Sequence, residues 1–488
     1  MTLRFFDSRI QTKIDFVPME EGKVSMYCCG VTVYDMSHIG HARCYVAFDA
    51  VIRYLRYLKY EVTVVRNYTD VDDKIIKRAA ELGEEIKTLT ERFIKEYEYD
   101  MKQLDVARAD VEPKVTEHIP EIIDMVTALI ERDHAYENDG DVYFAVDSFD
   151  DYCSLSKRNL EDCRAGASER TSSEELSRKK SPLDFALWKK SNGDELGWDS
   201  PWGFGRPGWH IECSAMSTKY LTNDFDIHTG GQDLIFPHHE NEIAQSVCAA
   251  EGQYAHHWMH NGFVNIDSEK MSKSLDNFFT IRNVIKLFHP QVLRFFLLST
   301  QYRSPINYSD TNLREATRRV FSIYSTLEAM DTYLAERAEN HKQGPIMLPK
   351  LIDGIIPEFE EAMNDDFCTP RAIACLSEPI TQANALLSGK EKGGRYATIS
   401  AMREKFRIVA DALCVFHENP SEILSGIQDR ILLERELDPT KIDDLVNQRN
   451  QARSERDFAK ADELRDTLVE MNVQLMDSPT GTTWRLIP

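Results

Sequence analysis

The stretch FPHHENEIAQS, residues 236–246, sets two adjacent histidines ahead of alternating acids. On a helix His238 and Glu242, four apart, rise from one face one turn apart and can reach a single ion. The same residues can equally form a charged face that points into water. A closed metal site needs about four ligands, so this imidazole and carboxylate require partners from elsewhere in the chain, most usefully thiolates. Ten cysteines are available, at positions 28, 29, 44, 153, 163, 213, 248, 368, 375 and 414. They are spread too widely for the disulfide framework of a short secreted domain, and most are expected to be reduced and buried.

Two further stretches carry chemistry. SHIGH, residues 37–41, falls where a first strand gives way to a first long helix. A helix amino end exposes free N–H groups that suit phosphate; His38 and His41 add donors, and Gly40 lets a ligand approach the backbone. Alternatively the two histidines cap the helix and the glycine turns the chain. KMSKS, residues 270–274, is a lysine loop that would be a solvated surface feature on its own. The pair, about 230 residues apart in a split nucleotide-binding pattern, is far more specific than either part.

The elements that must position these residues follow from periodicity. KVSMYCCGVTVYD alternates like a strand, GHARCYVAFDAVIRYLRYLKY has the spacing of a long amphipathic helix, and EVTVVRN reads as a second strand. This βαβ unit implies a parallel sheet whose ligands lie beyond the carboxyl ends of its strands. Residues 85–135 read as helical, and the polar stretch 158–185 as loops or an inserted subdomain. Sheet pattern resumes at FDIHTGG (225–231) and NGFVNID (261–267). From 310 to about 430 the pattern is helical, with joints expected at ENHKQGPIMLPK and SGKEKGGR. A charged helix over 449–468 and strand-like pieces at 473–477 and 482–488 form a separate small module.

With 488 residues, 42% hydrophobic and 28% charged, the chain has room for several cores. No apolar run approaches the ~20 residues of a membrane helix and the opening residues lack a signal-peptide core, so a cytoplasmic location is expected. A net charge of −23 argues against indiscriminate coating of nucleic acid. Residues 265–305 nevertheless carry six Lys or Arg against three acids.

These motifs, together with YCCGVTVYDMSHIGHAR, NYTDVDDKIIKRA, SPLDFALWK, GRPGWHIECSAMS, FDIHTGGQDLIFPHHENEIAQS and DFAKADELRD...GTTWR, resemble the class I aminoacyl-tRNA synthetases and, within them, the cysteinyl-tRNA synthetases. The resemblance covers nearly the whole chain. It implies an α/β fold: a Rossmann-type parallel-sheet catalytic domain (1–125 and 206–310) split by an inserted subdomain (126–205), then a helical bundle (311–430) and a small mixed α/β anticodon-binding module (431–488). The implied reaction joins L-cysteine to ATP, giving cysteinyl-adenylate and pyrophosphate, and then passes the cysteinyl group to tRNA(Cys). His38, Gly40 and His41 would serve the phosphates from one side, and Lys270 and Lys273 from the other, Lys273 making the direct contact. Mg²⁺ would accompany ATP. The family's zinc ligands match Cys29, Cys213, His238 and Glu242, and its amino-acid pocket matches Gly30, Thr69, Trp209 and His228. Trp209 and His228 could instead be core residues, Thr69 a helix cap, and Gly30 a plain strand end. His239 and Glu240 are expected to point elsewhere on the helix, and the chain is expected to act as a monomer. In the last module Trp484 and Arg485 are candidates to stack on and bond unpaired bases, or to close a small core. A related cysteine-activating ligase uses a small amine acceptor but lacks the long C-terminal extension, and a non-catalytic zinc-stabilised RNA binder would not need both signatures.

Two departures from the family pattern matter. Cys28 and Cys29 stand together, and neighbours on a strand face opposite ways, so only one, taken to be Cys29, should reach the ion. The lysine loop continues as SLDN where the family commonly has Leu-Gly-Asn, placing Asp276 beside the triphosphate. Asp tolerates a left-handed backbone less well than glycine and adds negative charge. Asp276→Gly is therefore expected to speed adenylate formation modestly in single-turnover assays; an unchanged or slower rate refutes this reading.

Overall fold

The computed structural model describes residues 2–161, 163, 177–192, 195–266, 269–270, 279–390, 392–478 and 481–488. The chain divides into two compact units, one of residues 1–264, 301–306 and 363–368, the other of the remainder.

The first unit is organised by a parallel sheet. β1 (Lys23–Thr32), α1 (Ile39–Tyr57) and β2 (Glu61–Thr69) form the first crossover; α2 (Trp209–Leu221), β3 (Asp224–Gly231), α3 (Glu240–Ala249) and β4 (Tyr254–Asn261) complete it. The strands lie in the order β4-β3-β1-β2, all parallel. Chain order reverses direction at β1, so a crevice opens between the carboxyl ends of β1 and β3, where open α/β sheets bind ligands. Tyr27, Val65, Phe225, Ile243, Tyr254 and Trp258 pack into one buried cluster with Cys29 and Cys213. The metal-type side chains therefore grow out of the apolar core.

The β1–β2 register runs from Lys23↔Glu61 to Cys28↔Arg66 and resumes at Val31↔Tyr68. Cys29 and Gly30 thus oppose the single residue Asn67, a bulge that re-aims the strand beside the crevice. A Cβ on Gly30 would lie 1.5 Å from the Asn67 carbonyl oxygen. The neighbouring strand therefore requires glycine at this position.

An antiparallel sheet is formed by Ala135–Asn138, Asp141–Phe144, Phe185–Lys190 and Gly205–Pro207, in that order. Its first hairpin turns through Asp139 and Gly140, both at positive φ, the Asp-Gly pair that a two-residue hairpin favours. Of the stretch 158–185, residues 162 and 164–176 lie outside the described residues. The last strand delivers Gly208 and then α2, which brings Cys213 to the site.

Three expectations are corrected. Residues 85–135 are not continuously helical: helices Ile86–Gln103 and Ile119–Glu131 flank a strap that bonds to β2, with Arg66 N–H donating to the Val111 carbonyl and Val111 N–H to that of Val64. Pro113 and the free edge of β2 favour extended chain there. The fourth sheet strand is Tyr254–Asn261; within NGFVNID, Asn265 and Ile266 pair antiparallel with Lys270 and Glu269 instead. The charged helix over 449–468 is two helices, Pro439–Ser454 and Phe458–Glu470. Arg456 turns at φ +62° between them, and Asp457 caps the second by accepting from Lys460 N–H.

The second unit is largely helical, including Asp310–Arg337, Ser377–Ser388, Arg395–Leu413 and Pro420–Glu434, and it closes with the antiparallel hairpin Val473–Ser478/Gly481–Leu486.

The helix behind SHIGH is anchored by Arg43. This buried guanidinium donates through Nη2 to the carbonyls of Gln301, Tyr302 and Ser304, at 2.6, 3.1 and 3.2 Å. Arg43→Ala removes three charge-assisted hydrogen bonds and a buried side chain, and is expected to lower the stability of this unit by roughly 3 kcal/mol, read from urea unfolding; a change within ~0.5 kcal/mol contradicts the anchor.

Candidate active site

β1, α2, the turn leading into α3 and α3 itself deliver four side chains to one buried point. Cys29 Sγ lies 3.9 Å from Cys213 Sγ and 3.6 Å from Glu242 Oε1, and His238 Nε2 is 3.0 Å from the same carboxylate oxygen. The ligand atoms of Cys29, Cys213, His238 and Glu242 all fall within 4.8 Å of one another. Two sulfurs, an imidazole and a carboxylate form a donor set suited to zinc more than to magnesium or calcium.

The carboxylate is held from behind. Its Oε2 accepts from Tyr254 O–H at 2.8 Å and lies 2.8 Å from His228 Nε2, leaving Oε1 to face the sulfurs. Burial pushes the Glu242 carboxyl up, but His228 and His238 outweigh it and keep the group ionised well below its ordinary range. Burial disfavours charge on His238 too, yet Glu242 and Cys213 raise it to about 10. Burial raises the Cys29 thiol, whereas the hydrogen bond from Cys29 brings Cys213 down to about 6. The cluster thus already holds anionic oxygen and sulfur out of water, the condition a dication relieves.

His239 departs from expectation. It points into the cluster, with Nε2 3.2 Å from Cys29 Sγ and Nδ1 2.8 Å from His260 Nε2. Cys29, His228, His239 and Glu242 make a second set of mutually close ligand atoms. The segment Ile235–His239 is a wide helical turn with extended backbone at Phe236, so regular 3.6-residue spacing fails just before α3 and turns His239 inward with His238. Glu240 points elsewhere as expected, accepting from the main-chain N–H groups of Leu155 and Ser156.

Cys28 faces away and accepts from Thr229 O–H at 3.0 Å. Trp209 opens α2, is 37% exposed, and sets its ring 4.3 Å from that of His238, at the mouth rather than in the core. His228 stacks on Trp258 beneath Glu242, with ring centroids 4.5 Å apart. Thr69 is the last residue of β2 and does not cap the next helix, which Asp72 caps. Its hydroxyl donates to the buried Glu212 at 3.1 Å and accepts from Asn67 Nδ2 at 3.3 Å, while Gly30 N–H donates to Asn67 Oδ1. Tyr254, His260, Asn67, Glu212 and His210, whose Nδ1 lies 2.8 Å from His238 Nδ1, escaped sequence reasoning. His210 and Glu212 adjoin recognised residues in GWHIEC, but nothing in their spacing singles them out.

At SHIGH, His38 Nδ1 accepts from Gly40 N–H at 3.0 Å and His41 Nδ1 accepts from His38 N–H at 3.2 Å. The rings stack 3.8 Å apart. The histidines therefore do cap α1, and the capping fixes both imidazoles at its amino end. Lys270 lies in the short strand Glu269–Lys270, whose side chains are not described; Lys273 and Asp276 fall outside the described residues. In the second unit Trp484 Nε1 donates to Asp443 at 2.6 Å and Arg485 to Glu328 at 2.8 Å.

Residues 15–318 match a family model described as tRNA synthetases class I (C) catalytic domain, residues 358–417 a DALR domain, and residues 437–485 a cysteinyl-tRNA ligase anticodon binding domain. The chain belongs to the cysteinyl-tRNA ligase family. Full-length similarity agrees: it is 50% identical over 490 residues to the cysteine–tRNA ligase of Geobacter metallireducens, covering all of both chains. It is 49% identical over 475 residues to the chloroplastic/mitochondrial cysteine–tRNA ligase of Arabidopsis thaliana, covering 96% of this chain and 84% of that one. The fold is shared with Mycobacterium tuberculosis methionyl-tRNA synthetase at a TM-score of 0.63 and 16% identity, over 82% of this chain and 93% of that one. The α/β class I architecture is thereby shown.

The opposite faces of Cys28 and Cys29 generate a direct test. After dialysis against a weak chelator, elemental analysis should find zinc near one per chain in Cys28→Ser and strongly depleted in Cys29→Ser; the reverse pattern refutes the assignment.

Proposed function

We propose that the chain ligates L-cysteine to tRNA(Cys) through a cysteinyl-adenylate, using ATP with Mg²⁺ and selecting its amino acid with one zinc ion per chain. The observation that carries this reading is the buried convergence of Cys29, Cys213, His238 and Glu242 in a chain matched to this family over its whole length. These four would hold the zinc, which when bound supplies a Lewis acid that favours the thiolate of the substrate sulfur. His228 and Tyr254 fix the carboxylate, so Oε1 needs little reorganisation. Trp209 flanks the mouth against His238. Thr69 and Asn67 buttress the bulge that carries Cys29.

Adenylate formation places negative charge on the α-phosphate oxygens, so catalysis is chiefly positioning and electrostatic stabilisation. His38 and His41, held by mutual capping, offer donors at the amino end of α1 to those oxygens, close to Gly40. Lys270 and Lys273 supply cationic charge from the loop, Lys273 directly. Residues 1–125 and 206–310 carry this chemistry around the 126–205 insertion, and 311–430 and 431–488 engage the tRNA. The protein works as a cytoplasmic monomer. A ligase with a small amine acceptor would leave the module at 437–485 without a task.

Serine offers a harder and far less acidic ligand in the same shape. A contact that the competitor cannot make supports discrimination of roughly 10⁴ or more, against perhaps 10² for shape alone. Cysteine-dependent ATP–pyrophosphate exchange followed by tRNA(Cys) charging is the expected result, with serine exchanging at least roughly 10⁴-fold less efficiently. Exchange without charging points to the small-acceptor reaction. Serine accepted within about tenfold of cysteine would overturn metal-based selection.

A further inference from the structure

Within the second unit, a cavity of about 190 Å³ opens between helices Asp310–Arg337 and Pro420–Glu434, beside Phe288, His289 and the chain end at Pro488. A water needs only ~10–15 Å³ of such space, so the cavity admits a larger group. Its wall carries four arginines, Arg314, Arg318, Arg430 and Arg435, against one side-chain carboxylate, Glu434, which pairs with Arg314. Cations therefore exceed anions along this wall, in a protein whose net charge is −23.

The remaining guanidiniums are poorly compensated. Arg430 donates only to main-chain carbonyls, Nε to Ile285 at 3.1 Å and Nη1 to Gly426 at 2.8 Å, among the described residues. Half-buried without a paired acid, its charge is disfavoured and its pKa falls below the usual arginine value. Arg435 gives Nη2 to the Ile487 carbonyl at 3.3 Å, and its Nη1 is buried with no partner among the described residues. Arg318 is exposed and has no acid partner among the described residues. Burial and the neighbouring Arg430 push His289 down to about 4, so it stays neutral near pH 7 and its Nδ1 accepts from Gln291 N–H. Two partly desolvated guanidiniums and a third exposed one thus line a cavity that, among the described residues, lacks their counter-charge.

We infer that this cavity is a phosphate-binding site, with Arg318, Arg430 and Arg435 as its donors. The three approach from one helix, from a second helix, and from that second helix's carboxyl end, which suits a tetrahedral group with oxygens on several sides better than the two coplanar oxygens of a carboxylate. The phosphate belongs either to an RNA backbone or to a free phosphate compound; the chemistry of recognition is the same.

Two probes separate the sources, each used on the full-length chain and on Arg318→Ala, Arg318→Lys and Arg318→Ala/Arg435→Ala. The first is inorganic phosphate, read as the shift in thermal midpoint against chloride at equal ionic strength. The second is a labelled tRNA(Cys) transcript, read as affinity between 50 and 200 mM salt. If the source is free phosphate, phosphate raises the midpoint of the parent chain, and alanine variants lose that rise with RNA affinity unchanged. If it is RNA, each arginine removed weakens binding roughly fivefold to tenfold near 0.1 M salt and lowers the log–log salt slope by about 0.9, with Arg318→Lys largely restoring both. Either result supports the site. Unchanged phosphate response together with unchanged RNA affinity and slope in folded Arg318→Ala overturns it. Circular dichroism verifies folding, and should the double variant unfold, the exposed single substitution decides alone.

Discussion

The carboxylate of Glu242 is the point on which the rest of the catalytic unit depends. It is fully buried, ionised, and divided in function: one oxygen is gripped by Tyr254 and His228, the other faces Cys29 and His238. An ionised carboxylate out of water is costly unless every lone pair is satisfied. That requirement explains why β3, β4, α2 and α3 carry so many polar side chains into what is otherwise an apolar core, and why those side chains are arranged around a single oxygen pair.

The sheet answers this demand with a local irregularity. Between Cys28 and Val31 the first strand gains one residue over its neighbour, and Gly30 makes room for the Asn67 carbonyl. The bulge presents Cys29 to the cluster while Cys28 returns to the sheet against Thr229. On the opposite side of the crevice the wide turn before α3 does something similar, bringing His238 and His239 inward together. Both distortions sit where the site is built, as expected when local regularity is given up for function.

Selectivity and catalysis are separated in this design. In the function proposed above, sulfur, imidazole and carboxylate would determine which amino acid fits, while the capped amino end of α1 would address phosphate through His38 and His41. The capping bonds use the Nδ1 atoms, so holding the rings and presenting them are compatible tasks. The second unit would add a different kind of recognition, through arginines whose counter-charges the described residues do not fully provide.

Much of this was legible in one dimension. Apolar periodicity of 2 and 3.6 reveals β1, α1 and β2 because each buries one face, and the spacing of His238 and Glu242 survives because it spans a single turn. The signature motifs mark the family because their residue types and separation are rarely met together. Boundaries set by long-range partners were not legible: the strap at 104–118 is extended because β2 offers it a free edge, and Asn265–Ile266 leave the parallel sheet for a local hairpin. The inward turn of His239, and the support given by Tyr254, His260 and Asn67, were decided only in the folded chain. Their side chains meet the site across as many as 210 residues of sequence, and no local pattern records which distant atoms will satisfy a buried charge.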